Sequence, residues 1–515
     1  MMTTKQNYLM LFSLSLLTAC STGLIATVGP DYSPPSLSIA DHWQAPQPEE
    51  EQLPLAHQGQ PDALLHWWER FNDTTLNQFL QSAENASYSV ANAASRIEQA
   101  RASLIGADSA FLPTLDGNLG ATRSSFSIGG PAFYRTQYQA GLQSSWELDL
   151  FGGLARQTQA SQSQLESRNA SWHDARVAVA VEVANAYLSY RYCEVQVQQL
   201  QADSESRQVA SNLLDLAQTH GFRSLADTSL SHASLAEAKK TLLQKQGQCE
   251  RSIKGLVALT ALDENTVRQS LQKQPELIAK LPAAPAFKLD SVPAHALLQR
   301  PDLAAAERDV AEASANIGVE QAKRYPKLSL SGNITPTLQS MNGAALALAQ
   351  TWSIGPTLSL PLFDAGKRAA NVDSMRAQYE AAVSNYHSKV RTAVKEVEEA
   401  LVRLDTAAQS IVHARQAASA YQQSFQASRQ LFENGLGSLI DLETSRRNQL
   451  SSELAVKDLE QEQVSAWIAL YRAAGGSWEE AQQSTSELKP IETSQPNVQP
   501  PTSTNPQQSL SGEKS

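Results

Sequence analysis

Cys20 ends the stretch Leu17-Thr18-Ala19-Cys20. Small residues just before a cysteine, after a short apolar run over 8–17, resemble a bacterial lipoprotein cleavage box. In that reading the Cys20 thiol is acylated and residues 1–19 are the signal peptide. The apolar run is too short to span a bilayer, so the other reading is a plain secretory signal. Ser21 stands where an Asp is associated with inner-membrane retention, which by resemblance points to the outer membrane. Two further cysteines, Cys193 and Cys249, could form a disulfide in an oxidising compartment. Two carboxylates sit in matched settings: Asp227 in "HGFRSLAD" (220–227) and Asp441 in "ENGLGSLID" (433–441). Each follows a turn glycine, Gly221 or Gly435, by six residues. A carboxylate one turn into a helix complements the helix dipole, and that role is open to both.

No other group of residues points to chemistry. The sequence contains no H-E-x-x-H and no G-x-S-x-G. "AGKR" (365–368) lacks the upstream Gly and the Ser/Thr of a phosphate loop, and it reads as a turn that opens a helix with Asp364 as N-cap. Nine His are scattered without ligand spacing, so no metal or cofactor is expected. The reading is not an enzyme. A net charge of −11 argues against nucleic acid or an anionic membrane surface as the main partner.

The elements that place these groups form a duplicated pattern. Residues 67–259 read as helix, strand pair (about 114–150), long helix, tip turn (220–223) and shorter helix. Residues 301–474 repeat the order, with strands at about 327–362 and a tip turn at 434–437. Landmarks keep a nearly constant offset: Pro113 with Pro326, Phe151 with Phe363, Arg156 with Arg368, Gly221 with Gly435. A period of that length is a duplicated domain and not a solenoid repeat. The Pro-rich segment 20–66 is expected to pack on an equatorial region, 260–300 to link the repeats there, and 475–515 to end in a disordered tail.

The strands alternate for ten residues or more: Tyr138, Ala140, Leu142, Trp146 and Leu148 against Gln139, Gly141, Gln143 and Glu147. Leu328, Leu330, Ile334 and Leu338, and Trp352, Ile354, Leu358 and Leu360, follow the same rule. A soluble sheet with one wet face alternates identically, but its strands are about half as long. The pattern fits transmembrane barrel strands. Four strands cannot close a barrel, since the smallest have about eight, so copies must share one.

From Val383 to Phe425 apolar residues recur strictly three or four apart, which is a coiled-coil seam. At ~1.5 Å per residue the long helices reach roughly 100 Å. The shorter ones match that length only when stacked end to end in pairs, with the joint as an equatorial belt. In a hairpin folded at Gly221, Cys193 and Cys249 fall at one height, which predicts a bond between them.

Four stretches resemble the outer-membrane factor family, the TolC/OprM/NodT group of efflux channels: "VGPDYSPP" (28–35), "RPDLAAAERDVAEASANIGVEQAKRYPKLSLSG" (300–332), "LSLPLFDAGKR" (358–368) and "LYRAAGGSW" (470–478). The resemblance implies a mostly α homotrimer, with a 12-stranded barrel of four strands per protomer continued by a periplasmic α-helical barrel. It implies a passive gated conduit in the bacterial outer membrane, working with a periplasmic adaptor and an inner-membrane pump of the RND class to export drugs. A type I protein-secretion channel shares the architecture, and a pore-free structural lipoprotein is the other alternative. The resemblance further implies that Asp441 rings the constriction with Asp227. Ile440 matches an apolar position there, while Thr444 replaces a family aspartate and Glu443 is expected to compensate. Phe222, Arg223, Leu436 and Gly437, beside Gly221 and Gly435, are implied to meet the adaptor.

Overall fold

The computed structural model describes residues 27–36, 40–46, 64, 66–127, 129–273, 283–287, 289, 293, 297 and 299–477. The expected signal peptide (1–19), the expected lipidation site Cys20 and residues 478–515 of the expected tail lie outside them. In the first repeat α1 (Thr74–Ala86) and α2 (Tyr88–Ser109) precede β1 (Thr114–Phe126) and β2 (Phe133–Leu148). There follow α3 (Gly153–Thr219), α4 (Leu225–Thr260) and α5 (Glu264–Gln272). The second repeat runs α6 (Pro301–Ala322), β3 (Lys327–Met341), β4 (Ala347–Ser359), α7 (Lys367–Glu433) and α8 (Leu439–Ala473). The repeats match in length: α3 and α7 have 67 residues each, and α2 and α6 have 22 each.

Local chemistry sets the ends of these elements. Asp73 accepts the N–H groups of Thr75 and Leu76 and so starts α1. Pro301 occupies the first turn of α6, where its missing N–H costs nothing. Both long helices begin after a left-handed glycine, Gly152 at φ 73° and Gly366 at φ 89°. Asp364 is therefore not the N-cap expected from the sequence. Its carboxylate, two residues upstream, accepts from the backbone of Gly366 and Arg368. Asp149 does the same for the backbone of Ala155 in the first repeat.

The four strands form one antiparallel sheet in the order β1-β2-β3-β4. The registers align the apolar positions across it: Ala121 with Tyr138, Tyr138 with Leu338, Leu338 with Leu348, and Ile334 with Trp352. Among the described residues nothing covers this apolar face; Trp352 is 71 % and Ile354 70 % exposed. The opposite face is mostly Gln, Asn, Ser and Thr, with Arg135 near the β1–β2 turn and Asp116, Glu147 and Lys327 near the helix ends.

The shorter helices pack end to end along the long ones. Ser167 of α3 donates to Asp309 of α6 (2.6 Å), while farther down α3 Arg207 meets Ser234 of α4. Along α7, Asn371 reaches Glu320 of α6 (3.3 Å), and Arg403 and Arg415 pair with Glu462 and Glu460 of α8. The main core lies at the joint. Trp67 stacks on Tyr471 (4.5 Å between centroids), meets Phe71 and Phe287 edge-on, and donates its indole N–H to the Pro285 carbonyl (2.8 Å). The fully buried Arg191, near the middle of α3, donates to Tyr187 and to the Leu271 carbonyl of α5, and Tyr187 in turn donates to Asp73. The helices α1 and α5, absent from the sequence reading, are thereby fixed to the middle of the long helix.

Candidate functional site

The two helical reversals have the same backbone chemistry. Phe222 N–H donates to the Ala217 carbonyl (2.8 Å) and Gly221 N–H to Gln218 (2.9 Å). Leu436 N–H donates to Leu431 (2.8 Å) and Gly435 N–H to Phe432 (3.0 Å). Both are Schellman motifs, which need a left-handed residue at the glycine, and Gly221 and Gly435 have φ of 78° and 73°. The next residue in this motif usually packs back on its helix. Here Phe222 is 80 % and Leu436 79 % exposed, so both apolar side chains project from the tips. Gly437 lies where a Cβ would come within 3.1 Å of the Phe432 backbone.

Ser224 and Ser438 start the returning helices. Ser224 Oγ accepts the Asp227 N–H (3.1 Å), and the Asp227 carboxylate accepts the Ser224 N–H (3.3 Å), a reciprocal capping box. Ser438 Oγ accepts the Asp441 N–H (3.1 Å) and donates to its carboxylate (2.7 Å). Both aspartates thus serve the local helix start. Asp441 is exposed and shares its face of α8 with exposed Ile440 and Thr444.

Glu443 is placed elsewhere. Two residues along a helix is about 200° of rotation, and its carboxylate turns inward, opposite Asp441. It accepts from Arg207 of α3 (2.9 Å), Ser234 of α4 (2.6 Å) and Arg446 of α8 (3.2 Å). Arg207 also holds Asp203 (2.8 Å). The compensation expected of Glu443 beside Thr444 is replaced by a buried network joining three helices. Burial pushes the Arg446 guanidinium below its ordinary value, with Glu443 pulling it back. Beside this network Leu214, Leu439 and Leu442 are buried against Phe425 and Phe432. Arg223, expected on the docking loop, stacks over the Phe432 ring (4.7 Å) and so ties the first tip to α7. The i,i+4 spacing of Asp203 and Arg207 and the i,i+3 spacing of Glu443 and Arg446 were the available sequence signals for this cluster.

Cys193 of α3 and Cys249 of α4 are joined, with S–S 1.99 Å and Cα–Cα 5.6 Å. Among the described residues no group of His, Cys, Asp and Glu could hold a metal, and no helix is long and apolar enough to cross a membrane.

The family model described as "Outer membrane efflux protein" matches residues 79–262 and 292–476. The chain is 30 % identical over 464 residues to nodulation protein T of Rhizobium leguminosarum bv. viciae, covering 86 % of this chain and 90 % of that one. It is 27 % identical over 493 residues to the solvent efflux pump outer membrane protein SrpC of Pseudomonas putida, covering 93 % and 100 %. Among solved structures, the outer-membrane channel OprN superposes with a TM-score of 0.76 at 26 % identity, covering 88 % of this chain and 100 % of that one.

Proposed function

The chain belongs to the outer membrane efflux protein family, and from that premise we propose that three copies form the outer-membrane conduit of a tripartite drug-efflux system. The observation that carries this reading is the fusion, in one chain, of an uncovered apolar sheet face to helices of 67 residues. An apolar face with a polar reverse is stable in lipid when strands close around a polar lumen. Four strands per copy reach closure when three copies supply twelve. The long helices then carry the conduit roughly 100 Å into the periplasm.

Each copy contributes two tips, and six tips close the inner end. Exposed Asp441 and half-buried Asp227 line the closing ring with Ile440 and Thr444, and the carboxylates favour cations while it is closed. Glu443 holds α8 against α3 and α4 in that state. The protein supplies no energy, so opening needs a partner that binds the splayed tips better than the closed ones. A periplasmic adaptor is that partner, docking on Phe222, Leu436 and the glycines beside them, and an RND pump delivers the cargo. Cys20 anchors the chain in the outer membrane through its lipid, and the Cys193–Cys249 bond forms in the oxidising periplasm.

The test is purification of the full-length protein, with trimer mobility on heated and unheated gels and conductance in planar bilayers. Drug accumulation in a strain lacking the gene is measured alongside. A heat-sensitive trimer that conducts, and raised accumulation in the deletion strain, are expected. A monomer without conductance would sink the channel reading.

A further inference from the structure

Asp116, Glu147 and Lys327 lie at the ends of the strands that lead into the helices, and beyond them the strands carry little charge. Between residues 117 and 146, and again between 328 and 363, the only ionisable acids or bases are Arg123, Arg135 and the Tyr hydroxyls. Both arginines lie toward the β1–β2 turn, opposite the ends of the strands that lead into the helices. Their registers separate them. Arg123 pairs with Thr136, on the face that carries Tyr134 and Tyr138, and it lies over the Tyr134 ring (5.9 Å). Arg135 pairs with Ser124 and Met341, on the polar face that carries Gln137 and Gln139. Arg135 Nη2 donates to Gln339 Oε1 (3.1 Å), which holds the guanidinium across β2 and β3, while its buried Nε has no partner.

We infer that Arg135 is a charge filter at the outer mouth: three guanidinium groups facing the lumen, which concentrate small organic and inorganic anions at the exit. The inference rests on closure of the barrel by three copies. In that arrangement the polar face turns inward, and Arg135 and its two symmetry mates form a ring with no carboxylate on the neighbouring wall. The turn residues at 129–132 and 342–346 carry no charge either. A ring of cations at a mouth with no carboxylate at its level raises local anion occupancy and lowers that of cations. The conduit is then bipolar: aspartates at the periplasmic tips and arginines at the exit. Cationic cargo admitted at the tips meets a repulsive exit and does not dwell there, whereas anionic cargo is held at the mouth before release.

The test is the reversal potential of the full-length trimer in planar bilayers under a potassium chloride gradient. Wild type, Arg135→Gln, Arg135→Lys and Arg123→Gln are compared. Arg135→Gln is expected to raise the potassium-over-chloride permeability ratio about twofold near 0.15 M salt and further near 0.01 M, where the Debye length grows to ~30 Å. Arg135→Lys keeps the charge and should keep the wild-type ratio; Arg123→Gln, on the lipid face, should leave it unchanged. A conducting Arg135→Gln trimer with the wild-type ratio at both salts overturns the filter and leaves the channel reading intact. Trimers that conduct in no variant overturn the channel reading and the filter with it. Should Arg135→Gln not assemble, modification of the thiol in Arg135→Cys decides. Conductance lost to an anionic, membrane-impermeant thiol reagent supports a lumenal position, and no change overturns it.

Discussion

Replacing Glu443 with Gln should loosen the inner end while leaving the body of the protein folded. The Glu443 carboxylate has a side-chain exposure of 7 % and faces Arg207 and Arg446, at 11 % and 9 %. Removing one partner of a buried ion pair costs about 3–5 kcal/mol, because the other charge stays buried and uncompensated. Two features lower that figure here. Gln keeps an oxygen that can accept from Ser234, and Arg207 keeps Asp203 at 2.8 Å. About 2–3 kcal/mol remains. A splayed tip exposes both arginines to water, so the loss falls on the closed state alone. The closed-to-open ratio should then drop about 30- to 150-fold, at tenfold per ~1.4 kcal/mol. Bilayer recordings should show more frequent openings, and cells carrying Glu443→Gln should become more sensitive to vancomycin. A Glu443→Gln trimer with wild-type conductance, wild-type vancomycin tolerance and an unchanged unfolding midpoint would refute the latch. A double-mutant cycle with Arg207→Gln isolates the pair, with a coupling of about 1–3 kcal/mol expected.

The remaining predictions concern stability and docking. The Cys193–Cys249 bond closes a loop with a sequence separation of 56, and Cys249→Ser should lower stability by up to about 4 kcal/mol on loop entropy; chemical denaturation of oxidised and variant protein measures it, and equal midpoints would exclude a stabilising role. Burial, reinforced by the Arg176 guanidinium, holds the His173 imidazole down at about 4. Its folded value is depressed, so its contribution is complete above ~6.5 and is lost as pH falls from there toward ~4. The unfolding midpoint should fall over that window, and His173→Gln should flatten the fall. Leu436→Ser with Phe222→Ser should abolish adaptor pull-down and leave trimer mobility and conductance unchanged; retained adaptor binding would move the docking surface elsewhere.

Much of this arrangement was legible in the residues because it depends on spacing along one chain. Gly221 and Gly435 mark reversals, Ser224 and Ser438 mark helix starts, and the two cysteines fall at one height about the first reversal. Strand parity placed Tyr138, Ile334 and Trp352 on one face before any register was known. What depends on contact between distant segments was not legible. The aromatic cluster of Trp67, Phe71, Phe287, Trp467 and Tyr471 draws on three separate regions. The helix α5 is too short for its periodicity to stand out, and α1 sits beside a Pro-rich run that masked its Asp73 cap. Glu443 is the instructive case. Its two-residue step from Asp441 already turns it away from that side chain, so its exclusion from the ring was readable. Its partner Arg207, on another helix, was not.

The distribution of buried apolar side chains also decides which end of the molecule can move. At the equator one continuous core joins α1, α3, α5, α7 and α8 through several aromatic rings. Near the tips the buried cluster is small: Leu214, Leu439 and Leu442 against Phe425 and Phe432. At about 1.5–3 kcal/mol for a fully buried leucine, that cluster contributes roughly 5–9 kcal/mol, and splaying the tips loses only part of it. Moving a two-state element from 1:99 to 99:1 takes about 5.5 kcal/mol of differential binding. Six projecting side chains, Phe222 and Leu436 from each of three copies, offer about 9–18 kcal/mol of gross burial to a docking partner. Part of that is lost to immobilisation on association. The remainder is of the size needed to splay the tips, and well short of what would dismantle the equatorial core. Gate opening by docking is therefore energetically separable from unfolding, as low local stability at a moving element requires.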